Sequence, residues 1–365
     1  LEALRFLFAK PETINQQRFQ HISLFVSDGI AYDASILFEE RLRDLADDAD
    51  LPGLRGALRE FYEATSRGER SDPYYALLHA DGDFMGDTLN RLAAKGIEAH
   101  RRFSQALDAF ASAVRPIVEN EQHRGALVYS GGDDVLAFLP LHTVLNCAQA
   151  LSKEFRAAFE AMSAEQGIAP TLSVGIAICH HLEPLSDALT LARSAEQAAK
   201  RVTGKNGLAI TLSKRGSGDR TISGSWDSTF CERIDSFIKA QQPSSATTHD
   251  ESLPDSAACD LLRLEERLGA AKGLLVGPIH SEALRILARK RGQHGVTAIP
   301  KKTLNYMRST LGLLNDPETK RDEDRVAVEK EAFQRTVGQV ADELIISREI
   351  ARARGPQSKN EGAAP

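Results

Sequence analysis

From residue 74 onward, the apolar positions switch period in a regular alternation. Tyr74 to Ala80 is a short apolar and aromatic run that suits a buried strand, and it ends at Asp81-Gly82-Asp83. Phe103, Leu107, Phe110, Val114 and Ile117 then recur at helical spacing, with Pro116 placed to kink that helix or end it early. Two apolar runs, Leu127 to Tyr129 and Val135 to Leu139, flank Gly131-Gly132 and predict a hairpin. Leu145, Ala148, Leu151, Phe155, Ala158 and Met162 mark a second helix, and Thr171 to Cys179 a strand. Leu185, Leu189, Ala192, Ala195 and Ala199 mark a third helix, and Leu208 to Leu212 the last strand. This order predicts an α+β fold, one sheet with helices packed on it, of the ferredoxin-like palm kind with an added hairpin.

The flanks read differently. Residues 1–70 form a partial, mainly helical N-terminal segment, with a strand over Ile22 to Val26 and amphipathic helices over Ala34 to Ala46 and Leu54 to Thr65. The polar stretch from Ser66 to Pro73 makes a boundary, so the palm domain is expected over residues 71–215. Residues 214–225 are rich in Gly and Ser and read as a connection. Residues 226–354 read as a C-terminal α-helical domain, carried by Leu261, Leu264 and Leu268, by Ala283, Ile286 and Leu287, and by Phe333, Val337, Val340 and Leu344. Within it, residues 241–258 are poor in apolar side chains and are expected to be mobile. Residues 355–365 are expected to be a disordered tail.

Composition narrows the classes. The chain has 365 residues, 42% hydrophobic and 26% charged, which allows a sizeable core in two or three domains. A net charge of −6 excludes a polycation, so nucleic-acid contacts must come from local basic patches or from partners. The densest basic stretch, Arg285, Arg289, Lys290, Arg291, Lys301 and Lys302, is one such patch, although a solvated helix face is the commoner outcome. Cys147, Cys179, Cys231 and Cys259 form no CxxC pair, which argues against a zinc ribbon or disulfide framework and for a reducing cytoplasm. No apolar run reaches the roughly 18 residues of a membrane span. Starting at Leu1, the chain reads as a fragment or as the ordered part of a longer polypeptide.

The candidate chemistry is carboxylate chemistry. Asp81 with Asp83, and Asp133 with Asp134, each lie at the end of an expected strand. If the first strand lies beside the hairpin, the two clusters converge at one edge of the sheet. Such a gathering of like charge is costly unless a cation neutralises it, and Mg²⁺ prefers a few carboxylates plus substrate phosphate oxygens. Gly82, Gly131 and Gly132 remove side-chain bulk where a triphosphate would approach. Lys200 ends the third helix, and Lys205 follows within Thr203-Gly204-Lys205-Asn206-Gly207; either can reach a phosphate, or can simply cap the helix. This is no Walker A loop, because Asn206 stands where Ser or Thr is required. His180-His181 lacks an Asp or Cys partner at metal spacing and reads as a solvated turn.

Taken in order, YYALLHADGDFMGD, YSGGDDVLAFLPL, LSVGIAI and ARSAEQAAKRVTGKNGLAI resemble the second palm domain of the large subunit of type III CRISPR effector complexes. The DGDxMG form is similar to the III-B subtype, and the wider resemblance is to GGDEF-type and class III nucleotidyl cyclases. The match covers roughly residues 74–213; the helical part after 226 resembles the family's C-terminal domain in placement and composition only. The resemblance implies a metal-dependent nucleotidyltransferase, a cyclic oligoadenylate synthase that joins ATP when target RNA binds. It implies metal binding by Asp81 and Asp133, helped by Asp134 and the Gly82 carbonyl, with Mg²⁺ or Mn²⁺ as cofactor and ATP as substrate. Ser130, Gly131, Gly132 and Asp83 would border the nucleotide, and Lys200 or Lys205 would bind phosphate. One more residue separates Lys200 from Gly204 than in the usual cyclase spacing, which leaves the choice of lysine open.

The implied partners are other subunits of such a complex, guide RNA and target RNA, in the cytoplasm and with no membrane. The family's HD nuclease, first palm and cysteine-rich zinc element have no counterpart in the sequence, so DNase activity is not carried over. A structural RNA-binding scaffold with an inactive palm, or a free-standing nucleotidyl cyclase, are the rival readings.

Overall fold

A computed structural model describes residues 24–27, 30–33, 37–45, 48–66, 72–93, 95–166, 170–216, 218–242, 253–254, 256–268, 276–289 and 336–354. The chain divides into two units, Leu1–Pro73 and Tyr74–Pro365.

In the first unit, β1 (Leu24–Ser27) and β2 (Ile30–Asp33) pair antiparallel. The second of these strands was not expected from the sequence. A helix expected over residues 34–46 is instead a 3₁₀ turn, Glu39–Arg41, leading into the single turn α1 (Leu42–Leu45). The amphipathic α2 (Leu51–Ser66) follows, and Leu42, Leu51, Leu58 and Tyr62 bury against one another.

The second unit is built on a six-stranded sheet in the order β4-β5-β3-β6-β7-β8. Its strands are β3 (Tyr74–Gly82), β4 (Ala126–Gly131), β5 (Asp134–Leu139), β6 (Leu172–His180), β7 (Gly207–Leu212) and β8 (Arg220–Ser225). Only β6 and β7 run parallel; the connecting α6 (Leu185–Lys200) packs on one face against Leu77, Ala177 and Cys179. Contact there is close enough that a Cβ at Gly175 would run into the backbone of Glu196. The opposite face, with Ala76, Leu78, Ala80, Val135 and Ile176, is covered by α4 (Ile97–Val118) and α5 (Val144–Gln166). Phe103, Phe110, Phe155 and Phe159 interlock between those helices with ring centroids 4.9–5.4 Å apart. Each such ring contributes roughly 1.5–3 kcal/mol by leaving water. Helix α4 runs through Pro116 and stops two residues later, at Val118.

Residues 220–225 are a strand, not the connection the sequence suggested. Only Ile222 supplies an apolar side chain, and Gly224 makes room for the Phe230 ring, so the composition hides the strand. Helices α7 (Phe230–Gln241), α8 (Ser256–Leu268), α9 (Val276–Ala288) and α10 (Val337–Arg354) extend the hydrophobic core of the α4–α5 face without a break. A short helix unmarked in the sequence pattern, α3 (Met85–Ala93), leaves the end of β3 and buries Thr88 and Leu92. The polar residues 243–252, the basic positions 290–302, Phe333 and the tail 355–365 lie outside the described residues.

Candidate active site

The β-ladder itself brings the two acidic clusters together. β3 pairs β5 antiparallel with Ala80 opposite Val135, so the next step of each strand carries Asp81 toward Asp134. The hairpin turn falls on Gly132-Asp133, one residue later than Gly131-Gly132, because Gly131 still pairs with Asp134. Gly132 takes a φ of +75°, a left-handed conformation that side chains resist. As a consequence the two hairpin carboxylates part. Asp133, in the turn, lies over Gly82, where a Cβ would meet its Cβ and Oδ2 at 2.8 Å each. Asp134, opening β5, sets its Oδ1 3.3 Å from His79 Nε2. Beside the turn, Val128 marks a register shift in β4, and with Tyr129 it stays exposed on this edge strand. Ser130 Oγ is shielded from water without a hydrogen-bond partner.

Asp83 behaves differently from its neighbours. It is fully buried, and its carboxylate accepts hydrogen bonds from Thr171 Oγ1 (2.7 Å), Ser173 Oγ (2.9 Å) and the Asn206 backbone N–H (3.0 Å). Its own N–H donates to Thr171 O at 2.7 Å. This carboxylate ties the loop after β3 to the loop after α6. Both loops are bent: Phe84, Lys205 and Asn206 all have φ between 51° and 60°, and Gly204 has +82°. Such backbone persists where the surroundings over-determine it, and here buried hydrogen bonds do so. From Asn206 the network continues through Nδ2 to Asp227 Oδ2 (2.7 Å) and on to Arg156 of α5. A cleft of about 860 Å³ between α5 and the β8–α7 turn touches Thr171 and Asn206, and Asp81, Asp133 and Asp134 do not line it.

The lysines separate as well. Lys200 Nζ binds Asp81 Oδ2 and Glu196 Oε1, the latter at 2.8 Å. Burial works against its charge, but the hydrogen bonds to Asp81 and Glu196 prevail and hold its pKa above the ordinary lysine value. Lys205 instead lays its ammonium 4.2 Å from the centre of the Phe84 ring. Burial pushes the Asp133 carboxyl up, and the charges on Asp81 and Asp134 add to that, against the pull of Lys200.

Sequence reasoning did not single out His79, Thr171, Ser173 or Glu196, and it used Asn206 only to exclude a Walker A loop. Ser173 lies inside the LSVGIAI run and Glu196 inside ARSAEQAAK, four residues before Lys200; that helical spacing was the available signal for Glu196.

A divalent metal fits the donor chemistry in one way. Among the described residues no three His, Cys, Asp or Glu side chains form a ready metal cage. Mg²⁺, however, is held through one or two carboxylates with substrate phosphates completing the shell. Asp81 and Asp133, crowded with Asp134 at the strand ends, would supply that set.

Residues 74–209 match the family described as Cas10/Cmr2, second palm domain. The CRISPR system Cmr subunit Cmr2 of Pyrococcus furiosus is 39% identical over 167 residues, spanning 39% of this chain and 19% of the relative. The chain thus spans about a fifth of the length of that curated relative. Among solved structures, a Csm1–Csm4 cassette in complex with cA4 covers 79% of this chain and 39% of its own at 15% identity and TM-score 0.45. A type III-B Cmr-beta structure in the apo state covers 96% and 46% at 13% identity and TM-score 0.46. No helix among the described residues is long and apolar enough to cross a membrane. Residues 74–209 of this chain are therefore similar to the second palm domain of Cas10/Cmr2 and to the Cmr subunit Cmr2.

Proposed function

We propose that this palm joins ATP into cyclic oligoadenylates as part of a type III-B CRISPR effector, in response to target RNA paired with a guide. One observation carries the reading: Asp81, Asp133 and Asp134 meet at one sheet edge with Lys200 among them. Asp81 and Asp133 would hold Mg²⁺ or Mn²⁺, with Asp134 and the Gly82 carbonyl beside them. When bound, the metal lowers the pKa of the attacking 3′-hydroxyl and steadies charge on the leaving pyrophosphate. Gly131 and Gly132 keep the turn open to a triphosphate. Ser130 offers its unpartnered hydroxyl to the nucleotide. Lys200 supplies positive charge to phosphate, and Lys205 flanks it over Phe84. Asp83, out of reach of solvent, serves the nucleotide by fixing the loop that follows Asp81 and Gly82 at the end of β3. Neighbouring subunits, guide RNA and target RNA are the partners, in the cytoplasm.

The test incubates the assembled complex with ATP, Mg²⁺ or Mn²⁺ and matched target RNA, with products read by mass spectrometry. Cyclic oligoadenylates are expected from the unaltered protein and none from Asp133→Ala/Asp134→Ala. Product that persists in that variant would refute the assignment. A second reading, a scaffold palm that binds ATP without turnover, is favoured by Lys200 already neutralising Asp81. It predicts retained nucleotide and no product from the unaltered complex.

A further inference from the structure

Glu196 is a buried carboxylate on a rigid platform. It is 3% exposed, and its backbone rests directly on Gly175 of β6, where no Cβ fits between them. Its Oε2 accepts a hydrogen bond from Gln197 Nε2 at 2.9 Å, and its Oε1 meets Lys200. Lys200 is the one cation paired with it among the described residues. An ionised carboxylate at such a depth is strongly unfavourable unless a cation stays with it. Lys200 therefore cannot leave Glu196 cheaply, whereas Asp81, about a third exposed, can exchange one cation for another.

We propose that Glu196 is a positioning residue. It retains Lys200 at the carboxylate edge as a resident counter-cation, and it sets how strongly Lys200 competes with a divalent metal for Asp81. Without metal, Lys200 bridges Glu196 and Asp81. As metal takes Asp81, the ammonium stays on Glu196 and turns its remaining donors toward the nucleotide phosphates. The tether keeps the aspartates from standing unpaired between turnovers and keeps the lysine in place for phosphate. This rests on the proposed function only in taking Asp81 as a metal ligand.

Mn²⁺ binding to the purified full chain without nucleotide, followed by electron paramagnetic resonance of the free ion, tests it. Glu196→Gln leaves Lys200 with Asp81 as its sole anion, so the Mn²⁺ Kd is expected to rise several-fold. Glu196→Gln/Lys200→Met removes the competitor without stranding a buried charge, and its Kd is expected to fall several-fold below that of the unaltered chain. Glu196→Asp keeps the charge but shortens the reach to Nζ, and it is expected to follow Glu196→Gln. An unchanged Kd in Glu196→Gln, a double variant that binds no tighter than Glu196→Gln alone, or a Glu196→Asp variant that matches the unaltered chain would each overturn the role. Should the double variant not fold, nitrogen-15 spectra of the lysine ammonium groups decide instead. The Lys200 signal of the unaltered chain is expected to shift on saturation with Mg²⁺, and an unmoved signal overturns the proposal. Shifts of this kind without any oligoadenylate product would count against the proposed reaction and leave the tether standing.

Discussion

Asp133, at the hairpin tip, and Asp235, on α7, are both half-buried carboxylates, yet their pKa values move in opposite directions. Burial pushes both up. At Asp133 the nearest charges are more carboxylates, Asp81 and Asp134, so the rise stands. At Asp235 hydrogen bonds from Lys239 and from Arg354 of α10 outweigh burial and carry the pKa below the usual value. The contrast extends to the neighbourhoods. Along the seam where α10 meets the rest of the unit, Arg233 grips Glu343 through two nitrogens, at 2.9 and 3.1 Å. Lys214 meets Glu349 at 2.6 Å and Arg220 meets Asp342 at 2.5 Å. Acidic groups there are matched to cations that belong to the same fold. At the sheet edge, Lys200 pairs with Asp81 and Glu196 and its charge reaches Asp133, while Asp134 faces His79. The seam is built for cohesion. The edge carries excess negative charge that a ligand cation would relieve.

Breaking a pair at the seam gives the largest expected effect on stability. Arg233→Met leaves Glu343 as a buried charge with its guanidinium partner gone, at 0% exposure. The loss is expected to be about 3–5 kcal/mol, read as a lower urea midpoint. Arg233→Met/Glu343→Leu, which replaces both partners by apolar groups, is expected to recover most of it. A double variant as unstable as the single one would show that Arg233 acts through packing and not through charge.

Asp83 tests the boundary between the two regions, because it lies beside the edge but is satisfied like the seam. Asp83→Ala strands the hydroxyls of Thr171 and Ser173 and the N–H of Asn206. A cost of about 1–3 kcal/mol is expected, together with a fall in oligoadenylate yield as the bent loops relax. Stability lost with full synthesis retained would mean that the loop geometry around Phe84 and Asn206 does not matter to the chemistry.

The architecture of the palm was legible because its strands and helices have strong, uninterrupted periods, as in the Leu145 to Met162 series that became α5. That the end of β3 and the hairpin would bring Asp81 near Asp133 and Asp134 was legible too, although Asp133 lies in the turn and not at a strand end. What escaped was set by tertiary contact. β8 has one apolar side chain and is a strand because β7 offers it a ladder. Asp83 and Asp81 look alike in a DGD string, and only the ladder to β6, which brings Thr171 and Ser173 across, buries one of them. The choice between Lys200 and Lys205 could not be made from spacing. Where each lysine lies depends on three consecutive left-handed residues, Gly204 to Asn206, with Lys205 over Phe84 and Lys200 facing Asp81, and this does not assign the phosphate to either.

The smallest expected effect is also the most direct reading of the contrast, and it is one of sign. A carboxyl whose pKa is raised in the folded state binds its proton more tightly there than in the unfolded chain. Its ionisation therefore erodes stability as pH climbs from the ordinary value of 3.8 through the folded pKa. Asp133→Asn removes that erosion, so in metal-free buffer at neutral pH it is expected to raise the melting temperature. That gain should vanish as pH falls below 3.8. Asp235 has the opposite sign. Its depressed pKa contributes stability above 3.8 that is lost as pH falls through the folded value. Asp235→Asn is therefore expected to lower the melting temperature at neutral pH and to converge with the unaltered chain in acid. Mg²⁺ sharpens the test. A metal held at the sheet edge stabilises only the folded chain that keeps its ligands, so it should raise the melting temperature of the unaltered chain and of Asp235→Asn more than that of Asp133→Asn. Equal metal-induced shifts in all three would separate Asp133 from metal binding and leave its raised pKa as a consequence of crowding alone.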